Sequence, residues 1–159
     1  MKYLTAAKDI LITVLVIFAI FSLLSFFTQR NPVTVEAIGD EICLRAADAF
    51  LRGSIELNRD GRIAKWRTNK NIVHWRFNCS KAGTYKVSLI HTKPSASQKV
   101  IFTFDDGSLE AETIPSAQQT ELGEIELDEG VHNAAFYFPE ILKKSKTPEL
   151  ISIILSRTN

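Results

Sequence analysis

The sequence predicts an all-β fold, an antiparallel two-sheet β-sandwich of the jelly-roll type, behind a single N-terminal transmembrane helix. Three observations carry this expectation. Apolar and polar residues alternate with period two through most of the chain, turn-forming clusters interrupt the alternation at short intervals, and one uncharged apolar stretch precedes both.

Residues 1–9, with Lys2, Lys8 and Asp9, are expected to be a short cytoplasmic N-terminus. From Ile10 to Phe27 the run ILITVLVIFAIFSLLSFF carries no charge, and its polar side chains are Thr13, Ser22 and Ser25, whose hydroxyls can bond the helix backbone. As a helix rising about 1.5 Å per residue it is about 27 Å long, close to a hydrocarbon core of about 30 Å. A cleavable signal peptide would have a shorter apolar run ending in a small-x-small site. Here the run ends SFFTQRNP, and Phe26, Phe27 and Gln29 do not suit such a site, so the anchor is expected to be retained. A buried helix of a soluble domain fits less well, because every face is apolar instead of one stripe. Lys2 and Lys8 before the helix, against Arg30 after it, orient the N-terminus to the cytoplasm and the C-terminal domain to the periplasm or cell exterior.

Residues 28–39 hold Pro32 and Gly39 and are expected to be a tether, and residues 40–159 the sandwich domain. In NIVHWRFNC, Val73, Trp75, Phe77 and Cys79 share one face and His74, Arg76 and Asn78 the other; Tyr85, Val87 and Leu89 align in TYKVSLIHT, and Val100, Phe102 and Phe104 in KVIFTF. Strand Ile72–Cys79, a turn over residues 80–83 and strand Thr84–Thr92 read as a hairpin. Other turns are expected at NRDGR (58–62), KPSAS (93–97), DDGS (105–108) and LDEG (127–130), and CLRAADAFLRG suits a brief helical turn. A sandwich core about 10 Å thick needs bulky inward side chains, and Trp75, Phe77, Tyr85, Phe102, Phe104 and Phe136 are placed to fill it.

Charge excludes one class of partner. Of 19 basic and 18 acidic residues, Lys2, Lys8, Arg30 and Asp9 precede residue 31, which leaves the rest of the chain at net −1 with mixed signs. That is no footprint for nucleic acid. Lys143, Lys144 and Lys146 in LKKSKTP lack interleaved aromatics and read as a solvated loop. Cys43 shares an outward face with Arg45 whereas Cys79 faces inward with Phe77, which argues against a disulfide, and their separation does not suit zinc. His74, His91 and His132 belong to no nucleophile motif, and HExxH, GxSxG and a phosphate-cradling glycine loop are all missing, so the chain is not expected to be an enzyme. Asn78-Cys79-Ser80 matches a glycosylation sequon.

The order of ICLRAADAFLRGS, RIAKWRTNKNIVHWRF, KAGTYKVSL, KVIFTFDDGSLEAETIPS, LGEIELDEGVHNAAFYFPE and LISIILS resembles the galactose-binding-like β-sandwich of carbohydrate-binding modules, especially those appended to fucosidases and related glycosidases. The shared pattern is an aspartate-alanine pair (Asp48, Ala49), Trp66 ahead of the Trp75–Phe77 strand, Gly83 with Tyr85, and a late stretch through Leu122, Gly123, Gly130 and His132. It spans residues 40–157 and is mostly framework. Gly83 and Gly130 sit where turns favour positive φ, and His132, on the face of Ala134 and Phe136, reads as a structural histidine. The resemblance implies a structural calcium near LRAADA, but Arg45 and Ala47 stand where acidic ligands are required, so no cofactor or metal is expected.

Two functions follow. The resemblance implies a membrane-anchored module recognising an extracytoplasmic glycan, and the ligand-binding candidates are Trp66, an aromatic beside a loop that equally suits a cap on the core, with Arg67, Asn69 and Asn71. The reading expected first is a non-catalytic accessory or scaffolding subunit of a cell-envelope complex, held in the bilayer by residues 10–27 with a protein partner, because no catalytic domain accompanies the sandwich for a sugar module to serve.

Overall fold

The alternation becomes strands. The computed structural model describes residues 33–141 and 147–158. The expected anchor over 10–27, the first part of the tether and the lysines of LKKSKTP lie outside the described residues. Among the described residues no helix is long and apolar enough to cross a membrane. The strands are β1 (Thr34–Glu36), β2 (Glu41–Arg45), β3 (Phe50–Arg52), β4 (Glu56–Leu57), β5 (Ile63–Ala64), β6 (Ile72–Cys79), β7 (Gly83–His91), β8 (Lys99–Phe104), β9 (Gly107–Glu112), β10 (Gln119–Leu127), β11 (Gly130–Tyr137) and β12 (Leu150–Arg157). The brief helical turn expected in CLRAADAFLRG is a single 3-10 turn, Ala46–Asp48.

The first sheet runs β1-β6-β11-β8-β9, with β3 beside the first half of β6; the second runs β10-β7-β12-β5-β4, with β2 beside β12. This is the expected two-sheet sandwich. Three details differ from the sequence reading. The Ile72–Thr92 stretch is not a hairpin, because β6 lies in the first sheet and β7 in the second, so residues 80–82 carry the chain across the core. The stretch through Gly130 crosses in the same way between β10 and β11. Alternation reports which face of a strand is buried, and both partners of a crossing bury the same faces as a hairpin would. Finally, Thr34–Glu36, expected in the tether, form β1 and run parallel to β6, with Val35 beside Phe77. Three residues are too few for a period to show.

The core confirms the aromatic assignment. Trp75 and Tyr85 are buried, as are Phe77, Phe102 and Phe136, while Phe104 is half-buried. Polar atoms carried inward find partners: Trp75 Nε1 donates to the Arg45 carbonyl at 2.8 Å and the Tyr85 hydroxyl to the Lys81 carbonyl at 2.7 Å. The Asp105–Asp106 turn is a true hairpin tip, joining β8 to β9. Cys43 and Cys79 are free thiols in strands of different sheets, Cys79 buried in the core and Cys43 half-exposed on β2.

Candidate functional site

On the outer face of the first sheet the register aligns Phe50 of β3, His74 of β6, Ala135 of β11, Thr103 of β8 and Ser108 of β9 in one row across the strands. With strands about 4.8 Å apart, the distance from Phe50 to Thr103 is about 14 Å. The methyl of Ala135 keeps the middle of the row low. There a cavity of about 440 Å³ opens, lined by His74, Thr103, Asp105, Asp106, Asn133 and Ala135. Phe50 stands at the end of the row, 44% exposed, its ring tilted 49° to that of His74 with centroids 6.5 Å apart.

The polar groups divide into those the frame uses and those left to the cavity. Asp105 belongs to the frame: its Oδ1 accepts from the Asn133 N–H at 3.1 Å and its Oδ2 from His132 Nδ1 at 2.6 Å, with backbone φ at +38°. His132 also donates through Nε2 to the Asp128 carbonyl at 2.8 Å and stacks on Phe77, ring centroids 5.4 Å apart. Burial alone would lower its pKa, but Asp105 and the Asp128 carbonyl outweigh that and raise it. His132 is therefore the structural histidine expected. Among the described residues, Asp106 makes no ion pair and the ring of His74 makes no hydrogen bond. Burial, and then the charge of Arg52, push the His74 pKa down, so near neutral pH its ring offers one donor and one acceptor.

The residues expected to bind ligand are not brought together. Trp66 is 2% exposed and packs edge-on against Phe138 (centroids 4.7 Å, 82°) and Phe136 (5.8 Å, 74°). The ring closes the core instead of presenting a face to solvent, so of the two placements its sequence allows, the cap on the core is the one observed, and its place as an exposed aromatic platform is corrected. A tryptophan beside a loop looks the same in sequence whether it points in or out. Arg67 and Asn69 lie exposed on the following loop. Asn71 is buried, and its Oδ1 accepts from the Ser54 N–H at 3.0 Å, so it braces the turn after β3 and thereby the strand that carries Phe50. Sequence reasoning passed over Phe50, Asn133 and Thr103. The outward alternation of His74 was the available signal; which strands flank it was not.

The residues at LRAADA do not fit a calcium ion. Arg45 Nε donates to Asp48 Oδ2 at 2.8 Å, so a guanidinium already sits on the one carboxylate of that stretch, and Ala47 supplies no side-chain oxygen. Among the described residues no three His, Cys, Asp or Glu side chains cluster.

No protein-family model and no curated protein matches the chain. Solved structures do match. A family 35 carbohydrate-binding module from Clostridium thermocellum superposes with a TM-score of 0.55 at 13% identity, covering 76% of this chain and 100% of the module. The chain shares its fold with carbohydrate-binding modules. A GH26-CBM35 β-(1,4)-mannanase from Podospora anserina matches with a TM-score of 0.60 at 13% identity, over 76% of this chain and 28% of the enzyme. An exo-β-1,3-galactanase from Phanerochaete chrysosporium, crystallised with β-1,3-galactotriose, matches with a TM-score of 0.55 at 17% identity, over 75% and 30%. The chain thus spans less than a third of either enzyme.

Proposed function

We propose that this chain is a non-catalytic carbohydrate-binding module whose glycan lies on the outer face of the first sheet, across the row from Phe50 to Thr103. The observation that carries the reading is the cavity of about 440 Å³ in the same cross-strand row as the exposed Phe50. A pyranose offers an apolar C–H face and a rim of hydroxyls. Phe50 suits the first, and His74, Thr103, Asn133 and Asp106 suit the second as a few convergent polar groups. Two acidic side chains line the cavity, and the hydrogen bonds of Asp105 commit it to the frame, which supports binding over hydrolysis. The likeness of fold to carbohydrate-binding modules favours this reading over the accessory or scaffolding subunit expected first from the sequence. With residues 10–27 in a bilayer and the N-terminus cytoplasmic, the module would meet glycans of the periplasm or cell exterior.

Glycan-array binding of the intact chain in detergent tests it, alongside Phe50→Ala and His74→Ala. Losing an aromatic platform is expected to weaken binding about 10-fold or more. Phe50 is partly exposed, so Phe50→Ala is expected to unfold within a few degrees of the parent. Undiminished binding by both variants would place the glycan elsewhere.

A further inference from the structure

Basic side chains gather at one corner of the sandwich. Residues 52–71, from the end of β3 through the β4–β5 hairpin to the approach of β6, hold six basic and two acidic residues, whereas the rest of the chain from residue 31 holds ten and fifteen. Contacts fold this stretch on itself: the Ser54 N–H donates to Asn71 Oδ1 at 3.0 Å, and Lys65 bonds Glu56 across the hairpin. Arg62 lies 3.7 Å from Glu149. Arg52, Arg59, Arg67 and Lys70 are exposed, and among the described residues none of them makes an ion pair. Asp60 is then the acid of the stretch without a basic partner. The far end of β6 has the opposite sign. There Gly130 lies opposite Cys79, and Asp128 and Glu129, just before it, are exposed. Glu36 and Glu41 lie toward that same end, Glu36 opposite Asn78 and Glu41 opposite Ser156.

The chain enters the domain near the basic corner. β1 and β3 flank the same side of β6, with β11 on the other. Thr34 lies opposite Arg76 and Arg52 opposite Ile72, four residues of β6 apart, or about 14 Å. Phe27, the last residue of the expected anchor, precedes Val33 by six residues, which span at most about 20 Å. We infer that this corner docks on an anionic bilayer surface, with Arg52, Arg59, Arg67 and Lys70 among the lipid phosphates and the acidic end of β6 turned away. This rests on the reading of residues 10–27 as a bilayer anchor and goes beyond glycan binding. A headgroup layer about 5–7 Å deep is within reach of the corner over so short a tether. Each lysine or arginine held near an anionic surface strengthens contact about 5-fold. The tether makes docking intramolecular, so a few such residues suffice, and guanidinium groups match phosphate oxygens in paired hydrogen bonds. A net charge near zero gives the domain no attraction as a whole; its uneven distribution gives it a preferred side.

The test places the full chain in lipid nanodiscs of phosphatidylcholine alone or of equal parts phosphatidylcholine and phosphatidylglycerol, and follows acylation of single lysines by a neutral reagent with mass spectrometry. Lys70 is expected to react about 5-fold or more slowly in the anionic discs. Lys81, in the turn at the far end of β6, should react alike in both. High salt should remove the protection of Lys70. Arg52→Gln with Arg67→Gln should remove most of it as well, at an unchanged melting temperature, since both side chains are exposed. Lys70 reacting alike in both kinds of disc overturns the docking and leaves the anchor standing. A chain that stays out of the discs overturns both, and neither result touches the glycan site, which the array reads separately.

Discussion

His132 offers a sharp test of how the hairpin tip is held. Its two ring nitrogens face two acceptors, Asp105 Oδ2 at 2.6 Å and the Asp128 carbonyl at 2.8 Å. Only the imidazolium has two N–H groups to give, so the fold favours the charged ring. The folded pKa of His132 is raised above the unfolded value, so its contribution is fully present below about pH 6.5 and is lost as pH rises through the folded value. Asp105 has the opposite sign. Burial opposes its charge, but His132 and the Asn133 N–H lower its pKa, so its contribution is lost as pH falls below about 4. The latch is strongest between those limits. A hydrogen bond to a charged group contributes about 1.5–3 kcal/mol, but the Asp105 side chain is 42% exposed, which reduces the pair toward a surface value. His132→Gln should therefore cost about 1–2 kcal/mol near pH 5.5, or about 3–8 °C in melting temperature. Thermal unfolding of both proteins from pH 5 to pH 9 measures it. The gap between them should narrow as pH rises, leaving the remainder due to the ring stacked on Phe77. A gap that stays constant or widens would refute the charged latch.

Three further outcomes follow from the geometry. Gly53→Ala should cost about 1–3 kcal/mol in urea denaturation, since φ is +102° and a Cβ would overlap Asn71 Oδ1, whereas Gly130→Ala, with φ +133° and open space around it, should lose less. Trp66→Ala should destabilise by about 3–5 kcal/mol by emptying the space against Phe136 and Phe138. Trp66→Phe should keep much of that stability, because the indole N–H has no acceptor among the described residues, and its glycan affinity should match the parent's; a selective loss of affinity would return Trp66 to the site. The Tyr85 phenol, buried beside Cys79, is pushed up to about 12, so an ultraviolet titration should show a tyrosine ionising about two units late, and Tyr85→Phe should remove that phase.

The fold was legible from the sequence wherever a strand was long. In β6 and β7 the period of two identified the buried Trp75, Phe77, Cys79, Tyr85, Val87 and Leu89 and missed the buried Ser88, which it turned outward, and DDGS marked the one hairpin tip that borders the cavity. Short elements hid. β1 and β3, of three residues each, carry no measurable period, yet β3 delivers Phe50 to the candidate site.

What the sequence by itself determined is which side of each long strand meets the core, because alternation is a local property written at every second residue. It also determined that Cys43 and Cys79 face opposite ways. Only the tertiary structure decided which strands lie side by side. It made a crossing of what read as a hairpin, turned Trp66 into the core, and aligned Phe50, His74, Ala135 and Thr103, distant in sequence, into one row. Pairing depends on contacts between residues far apart along the chain, and a face assembled across four strands leaves no signature in any one of them.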